Sequence, residues 1–272
     1  PMMARSSGLA LFALLSPAAA LLAVPLGARV VAQCHPPLHA LCVPARARPP
    51  LASARTVVVT DMDETLISKK STGYVINFLV KLRAFRLLLV PLLAAVLIPI
   101  SKLSRTFAVR AMYWFAFRGV RVDKAKKIAE EFLAPEYAAD LQDPAASAVM
   151  NADDAIIITA SPDFMARPWL EKYLKVKPEN VYGAVLEESS GGRFTGRTMQ
   201  IPIGEAKAEL LRSNPLANAP DTTTVGYGDH PTDLPFLQAC SRGVLVHELA
   251  SIPKGIEYIP AAKFTGSTLQ SQ

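Results

Sequence analysis

Residues 56–60, Thr-Val-Val-Val-Thr, form a β-branched run that stops at Asp61-Met62-Asp63-Glu64-Thr65. β-Branched residues favour extended chain, and alternate residues of a strand project to one face. Asp61 and Asp63 are therefore delivered side by side where the strand ends. Two carboxylates held that close need a cation between them, or one must be protonated. A magnesium-type ion favours oxygen ligands and phosphate-bearing substrates.

Further strands are predicted at residues 155–159, 181–186, 193–199, 222–227 and 243–247. Residues 189–192 make a turn that pairs 181–186 with 193–199 as a hairpin. Ser161-Pro162-Asp163 reads as a helix start, with an N-cap, a Pro in the first position and an acid in the first turn. Residues 204–211 read as a short helix. Strands alternating with helices predict an α/β fold with an open, mostly parallel sheet.

Residues 68–150 read as mostly helical and too long for a simple crossover, so they form an inserted cap. Residues 87–100 are uncharged and interrupted by Pro91 and Pro99. Residues 106–120 are aromatic-rich. Residues 122–133 read as one amphipathic helix, with Ile128 and Phe132 on one side and Pro135 past its end. The expected layout is a leader at 1–54, a core at 55–67 and 151–250, the cap at 68–150, and a tail at 251–272 without periodicity.

The formal charge of +6 is unevenly placed. The first sixty residues hold five arginines and no acid, while the remainder holds 24 basic and 23 acidic residues. The basic balance belongs to the leader, and no nucleic-acid partner is expected. Cys34 and Cys42 lie in the leader, which leaves Cys240 alone in the body as a buried small apolar residue. A disulfide framework or CxxC zinc site is excluded there. The apolar run at 9–25, preceded by Arg5 and followed by Val30-Val31-Ala32, reads as a targeting segment for an organelle (plastid) or the secretory pathway (endoplasmic reticulum). An uncleaved signal anchor is the alternative.

If the strands run parallel with their carboxyl ends at one edge, Asp61, Asp63 and Thr65 meet Thr159, Lys207, Asp229 and Asp233 there. Each has a plainer reading alone. The paired acids could cap the next segment, Asp229 and Asp233 could be turn residues beside Gly228 and Pro231, and Lys207 could be a solvated helix residue. Thr159 could be a satisfied strand-end hydroxyl. Ser161 reads more simply as a helix cap than as a substrate-binding hydroxyl. Asp153 and Asp154 read as exposed loop charges, and His230 as a rim residue.

In order and residue type, this set resembles the four motifs of the haloacid dehalogenase superfamily across about residues 56–248. The resemblance implies a Rossmann-like core in which Asp61 is a nucleophile forming an aspartyl phosphate. Asp63 would be the general acid and base, and Lys207 would offset phosphate charge. Thr65, Thr159 and Ser161 would bind substrate. Mg2+ would be held by Asp61, Asp63 (through its carbonyl), Asp229 and Asp233, the last of these through water or by positioning Lys207. Thr159-Ala160-Ser161-Pro162, Met165, Pro168, Tyr173-Leu174, Gly192-Arg193 and Thr195-Gly196 resemble the phosphoserine-phosphatase-like branch. They are most similar to the N-terminal phosphatase domain of plant glycerol-3-phosphate acyltransferases. That family's acyltransferase motif, HxxxxD, is absent from this sequence, since Ala40, Pro44, Pro235 and Ile252 follow the four histidines at that spacing. Glu64 departs from the Gly common at its position, and its side chain is expected to face away from the acids.

The resulting expectation is a magnesium-dependent phosphomonoester hydrolase acting on a small phosphomonoester or lysophospholipid-type substrate. The alternative is a non-catalytic lipid-binding accessory module, and a phosphotransferase or mutase is the third option. Residues 87–100 read as too short to span a bilayer and suited to a buried, re-entrant or interfacial segment. A membrane surface is an expected partner, with a self-packed cap as the plain alternative.

Overall fold

The computed structural model describes residues 55–83 and 85–265. The expectations for the leader, Cys34 and Cys42 lie outside the described residues.

The acidic tip follows β1 (Arg55–Thr60), which is central to the sheet. Val57 and Val59 pack on one face with Ala208, Leu211 and Phe236, while Val58 joins the apolar cluster on the other. A strand covered on both faces has no polar side to show, which is why this run is apolar throughout.

A helical series follows: α1 (Ser71–Leu82), a tight turn at Phe85–Leu89, α2 (Val90–Leu103), α3 (Arg105–Phe117), α4 (Val122–Ile128), a π turn at Ala129–Leu133 and α5 (Ala134–Ala139). After β2 (Gln142–Asp143) and α6 (Ala145–Asn151), the chain returns to the sheet as β3 (Asp154–Pro162). It continues through α7 (Asp163–Leu174), β4 (Val181–Glu188), β5 (Phe194–Gln200), α8 (Glu205–Arg212), β6 (Thr222–Gly228), α9 (Leu234–Ala239), β7 (Arg242–Leu245), β8 (Ile256–Tyr258) and β9 (Ala262–Lys263). The seven-stranded sheet runs β5-β4-β3-β1-β6-β7-β8, parallel except for the β4–β5 hairpin.

β3 and β6 flank β1, with Ile157 and Tyr227 level with Thr60. The chain builds β3, β4 and β5 on one side of β1 and then crosses to β6 and β7 on the other, and such switch points are where open α/β sheets bind ligands, at the carboxyl edge.

The helical series packs onto the sheet domain in one continuous cluster. Phe117 meets Phe164 edge-on at 5.4 Å, and Tyr137 stacks on Trp169 at 5.3 Å. All four belong to the same apolar cluster as Val58, and each such side chain contributes about 1.5–3 kcal/mol on burial.

Several expectations need correction. The stretch at 122–133 is not one helix, because the π turn interrupts it. Pro135, in the first turn of α5, has no N–H to return to a preceding carbonyl. The wider turn absorbs that loss and leaves Phe132 exposed, with the Lys81 ammonium 4.7 Å from its ring, away from buried Ile128. The prolines at 91 and 99 do not break α2: Pro91 sits in the first turn, where no N–H is needed, and Pro99 lies inside the helix. The apolar helical stretch runs over Phe85–Leu103, 19 residues, long enough to cross a membrane and with none buried. Asp153 is an exposed loop residue as expected, its carboxylate accepting the Thr56 N–H at 2.7 Å, but Asp154 belongs to β3 and pairs with Arg55. Cys240 is only half-buried. The tail holds two short strands, β8 on the sheet edge and β9 against β2.

Candidate active site

β1 ends at Asp61, whose N–H is held by the Tyr227 carbonyl of β6 at 3.0 Å. Asp61 Oδ1 accepts from Met62 N at 2.7 Å and faces Lys207 Nζ at 3.0 Å. Both recorded donors fall on Oδ1, so Oδ2 carries no hydrogen bond among the described residues. Lys207 comes from α8, an element whose remaining buried residues, Ala208 and Leu211, fix it against the sheet. The residue is 3% exposed, and its ammonium also contacts Asp233 Oδ1 at 2.7 Å. Burial alone pulls this ammonium's pKa down, but the summed attraction of Asp233 and Asp61 outweighs it and the pKa is raised. Lys207 is therefore a fixed positive charge.

Asp233 closes the loop after β6. Its Oδ2 accepts the N–H groups of Asp229 at 3.3 Å and His230 at 3.1 Å. The loop lies so close that a Cβ at position 228 would sit 2.7 Å from Asp233 Cβ, which only glycine avoids. With both oxygens engaged, Asp233 positions Lys207 and the loop together. His230 caps the short turn Pro231–Asp233, with Nδ1 accepting from Thr232 N at 3.2 Å.

Asp229 is held by the Thr65 hydroxyl, 3.2 Å from Oδ1. Burial, then the charge of Asp233, pushes its carboxyl up to about 7. Asp61 is raised well above the carboxylate range by burial; Lys207 opposes this, and Asp233, Asp229 and Asp63 reinforce it. One oxygen from each of Asp61, Asp229 and Asp233 lies within 4.8 Å of the others. Three carboxylates cannot all be ionised in so small a volume beside a single ammonium. A hard divalent cation would resolve the repulsion, so the residues present fit such an ion.

Asp63 turns away from this cluster. Its Oδ2 accepts Ser71 N at 3.1 Å and the Ser71 hydroxyl, and its Oδ1 faces the Ser161 hydroxyl at 3.3 Å. The two serine hydroxyls also touch each other. Burial raises the Asp63 pKa, while Ser71, Lys207 and Ser161 lower it. A carboxyl so placed suits proton transfer, and its side chain is not among the clustered metal-ligating oxygens.

Ser161 does not cap α7. Pro162 holds the cap position without a side-chain bond, and β3 runs on to Pro162 through a register shift after Ile158. That irregularity turns Ser161 into the site. Thr159, fully buried, spends its hydroxyl as acceptor for Ser161 N at 3.0 Å.

Glu64 has φ 53, a left-handed conformation that favours glycine, and its carboxylate turns to Lys70 at 3.1 Å. Sequence reading missed Ser71, which has no spacing signal, and Gln142, whose Nε2 holds the Glu64 and Thr65 carbonyls at 2.7 and 3.2 Å. It also missed Arg105, whose Nη1 lies 3.5 Å from Thr232 Oγ1.

Residues 58–238, well over half of the chain, match the model of the haloacid dehalogenase-like hydrolase family. A glycerol-3-phosphate acyltransferase, RAM2, of Petunia hybrida is 28% identical over 146 residues. That match covers 53% of this chain and 29% of the relative, so the chain spans less than a third of the relative's length. Among solved structures, a HAD family hydrolase of Salmonella enterica serovar Typhi is similar at a TM-score of 0.55 and 15% identity, covering 78% of this chain and 70% of that one. A probable phosphoserine phosphatase of Vibrio cholerae gives 0.51 and 18%, covering 71% and 56%. At these identities the structures speak for the fold, a mostly parallel α/β sheet of the same kind. Family match, fold and clustered acids agree, and the chain belongs to the haloacid dehalogenase-like hydrolases.

Proposed function

We propose that this protein is a magnesium-dependent phosphomonoester hydrolase working through an aspartyl phosphate on Asp61. The observation that carries the reading is Asp61 itself, held by Lys207 on one oxygen with the other free of hydrogen bonds among the described residues. Mg2+ would be held by Asp61 and Asp229, with Asp233 close by, and would supply charge neutralisation for the phosphoryl oxygens. The Asp61 Oδ2 lone pair attacks phosphorus as the bond to the leaving oxygen breaks, and Asp63 gives that oxygen its proton. Water then attacks the same phosphorus, Asp63 takes the water's proton, and the bond to Asp61 breaks to release phosphate. Lys207 holds Asp61 in place and offsets negative charge throughout. The hydroxyls of Thr159, Ser161 and Ser71 border the position of the transferring group.

For the substrate we favour a glycerol-phosphate or lysophospholipid-type phosphomonoester. The similarity to a glycerol-3-phosphate acyltransferase supports the glycerol-phosphate part, and the exposed apolar helix supports an acyl chain. The leader reading supports a plastid or endoplasmic reticulum location, testable with a fluorescent fusion of residues 1–54. A non-catalytic accessory role is favoured by the same exposed helix but leaves the ion-paired cluster without a purpose.

The test is hydrolysis of an aryl phosphate by purified protein with Mg2+. Asp61→Asn is expected to lower turnover by at least about a thousandfold. Equal turnover in the variant would overturn the nucleophile assignment.

A further inference from the structure

We infer that the α2–α3 hairpin is a docking element that lies in the surface of an anionic lipid bilayer. None of α2 is buried, and Leu88 in the turn before it, Leu92, Val96 and Leu103 on it, and Phe107 and Trp114 on α3 are exposed apolar side chains that form one face. A groove of about 880 Å³ continues that face between α2, α3 and β5.

The stretch Phe85–Leu103 has the length of a membrane span, but its connections forbid a crossing. β1, which precedes it, pairs directly with β3 and β6, which follow it. Both ends of the stretch therefore enter one folded sheet. The return helix α3 carries Arg105 and Arg110 and packs on β5 through Trp114, against which a Cβ at Gly196 would lie 2.9 Å away. An apolar helix fixed at both ends to one body can lie along a membrane but cannot thread it.

Charge identifies the surface. From Thr65 through Val122 the chain has ten lysines and arginines and no acidic residue. Lys69, Lys70 and Arg121 pair with Asp140, Glu64 and Asp123. The other seven, among them Lys81, Arg83, Lys102 and Arg110, have no ion-pair partner among the described residues. An apolar face bordered by uncompensated cations fits acidic lipid headgroups, each basic residue engaged being worth roughly fivefold in partition. The Arg105 contact to Thr232, next to Asp233, sets the α2–α3 turn beside the site. On the phosphatase reading, this opens the site toward phosphomonoesters held in the lipid layer.

Tryptophan emission tests the docking without any turnover. The chain has two tryptophans: Trp169 is fully buried and Trp114 is 49% exposed on the apolar face. With the purified full chain, vesicles containing about 30 mol% phosphatidylserine should shift Trp114 emission to the blue. Lipids brominated near the headgroup end of the acyl chain should quench it. Phosphatidylcholine vesicles alone, or salt at about 0.5 M, should weaken binding at least about tenfold. Leu88→Asp/Leu92→Asp/Val96→Asp, at exposed sites, should abolish the shift, and the independent variant Lys102→Glu/Arg110→Glu should weaken it. An unchanged emission in the parent protein, or equal quenching in both variants, would overturn the proposal. So would an emission shift that follows protein concentration in place of lipid, which would indicate a second copy on this face.

Discussion

Replacing Lys207 with methionine removes one buried cation while keeping a similar stem beside Phe236, whose ring centre is 5.4 Å from the ammonium. The ammonium contacts Asp233 at 2.7 Å and Asp61 at 3.0 Å. At an effective dielectric of about 20, each contact has a gross attraction of about 6 kcal/mol, most of which offsets desolvation. Removing the cation leaves clustered carboxylates without compensation, and breaking a buried pair costs about 3–5 kcal/mol. That full loss is expected at pH 8 in EDTA. At pH 5 the Asp229 carboxyl, raised to about 7, is already protonated and Asp61 is raised in the same direction. The loss should then fall to about 1–2 kcal/mol. Urea unfolding of parent and Lys207→Met at both pH values, with unchanged denaturant slope, measures this. A loss equal at the two pH values, or under about 1 kcal/mol at pH 8, would refute the account of Lys207 as the charge that holds the acids together.

Three further outcomes follow from the same geometry. The folded-state pKa of Asp229 is raised from 3.8 to about 7, so the folded state binds its proton more tightly than the unfolded chain does. Metal-free stability should therefore fall as pH rises from about 4 to about 7, and the Mg2+-induced rise in melting temperature should be larger at pH 8 than at pH 5.5; an equal rise at both would contradict it. Glu64→Gly relieves the left-handed backbone at φ 53 and loses only a surface ion pair, so unfolding should show a change within about 1 kcal/mol of the parent. A loss above about 2 kcal/mol would mean Glu64 does more than accommodate the turn. Ser71→Ala removes a hydroxyl that lowers the Asp63 pKa, so the pH–rate limb belonging to Asp63 should move to higher pH. An unmoved limb would separate Asp63 from proton transfer.

Much of the sheet was legible because its central strands are covered on both faces. The centres of β1 and β3, Val57–Val59 and Ala155–Ile158, are apolar without alternation, and polar groups follow at their ends. Most legible site residues were carried by strand ends or by the loop after β6; Lys207, on α8, was legible only through its place in the order of the motifs. Ser71 was not legible, since its contact with Asp63 depends on how the start of α1 folds back on the loop after β1. Ser161 looked like a cap because the register shift that turns it inward leaves no mark in the sequence. Pro91 and Pro99 suggested breaks in a helix that tolerates both, and Pro135 concealed the π turn that sends Phe132 outward. The strands β8 and β9 expose most of their side chains and so carry no apolar pattern.

The most direct test asks whether phosphate becomes bonded to Asp61. Protein mixed with a phosphomonoester and Mg2+, quenched in acid within one turnover and digested, should yield phosphate on the peptide containing Asp61 and none in Asp61→Asn. Phosphate on another residue, or steady hydrolysis with no phosphorylated peptide, would contradict the mechanism.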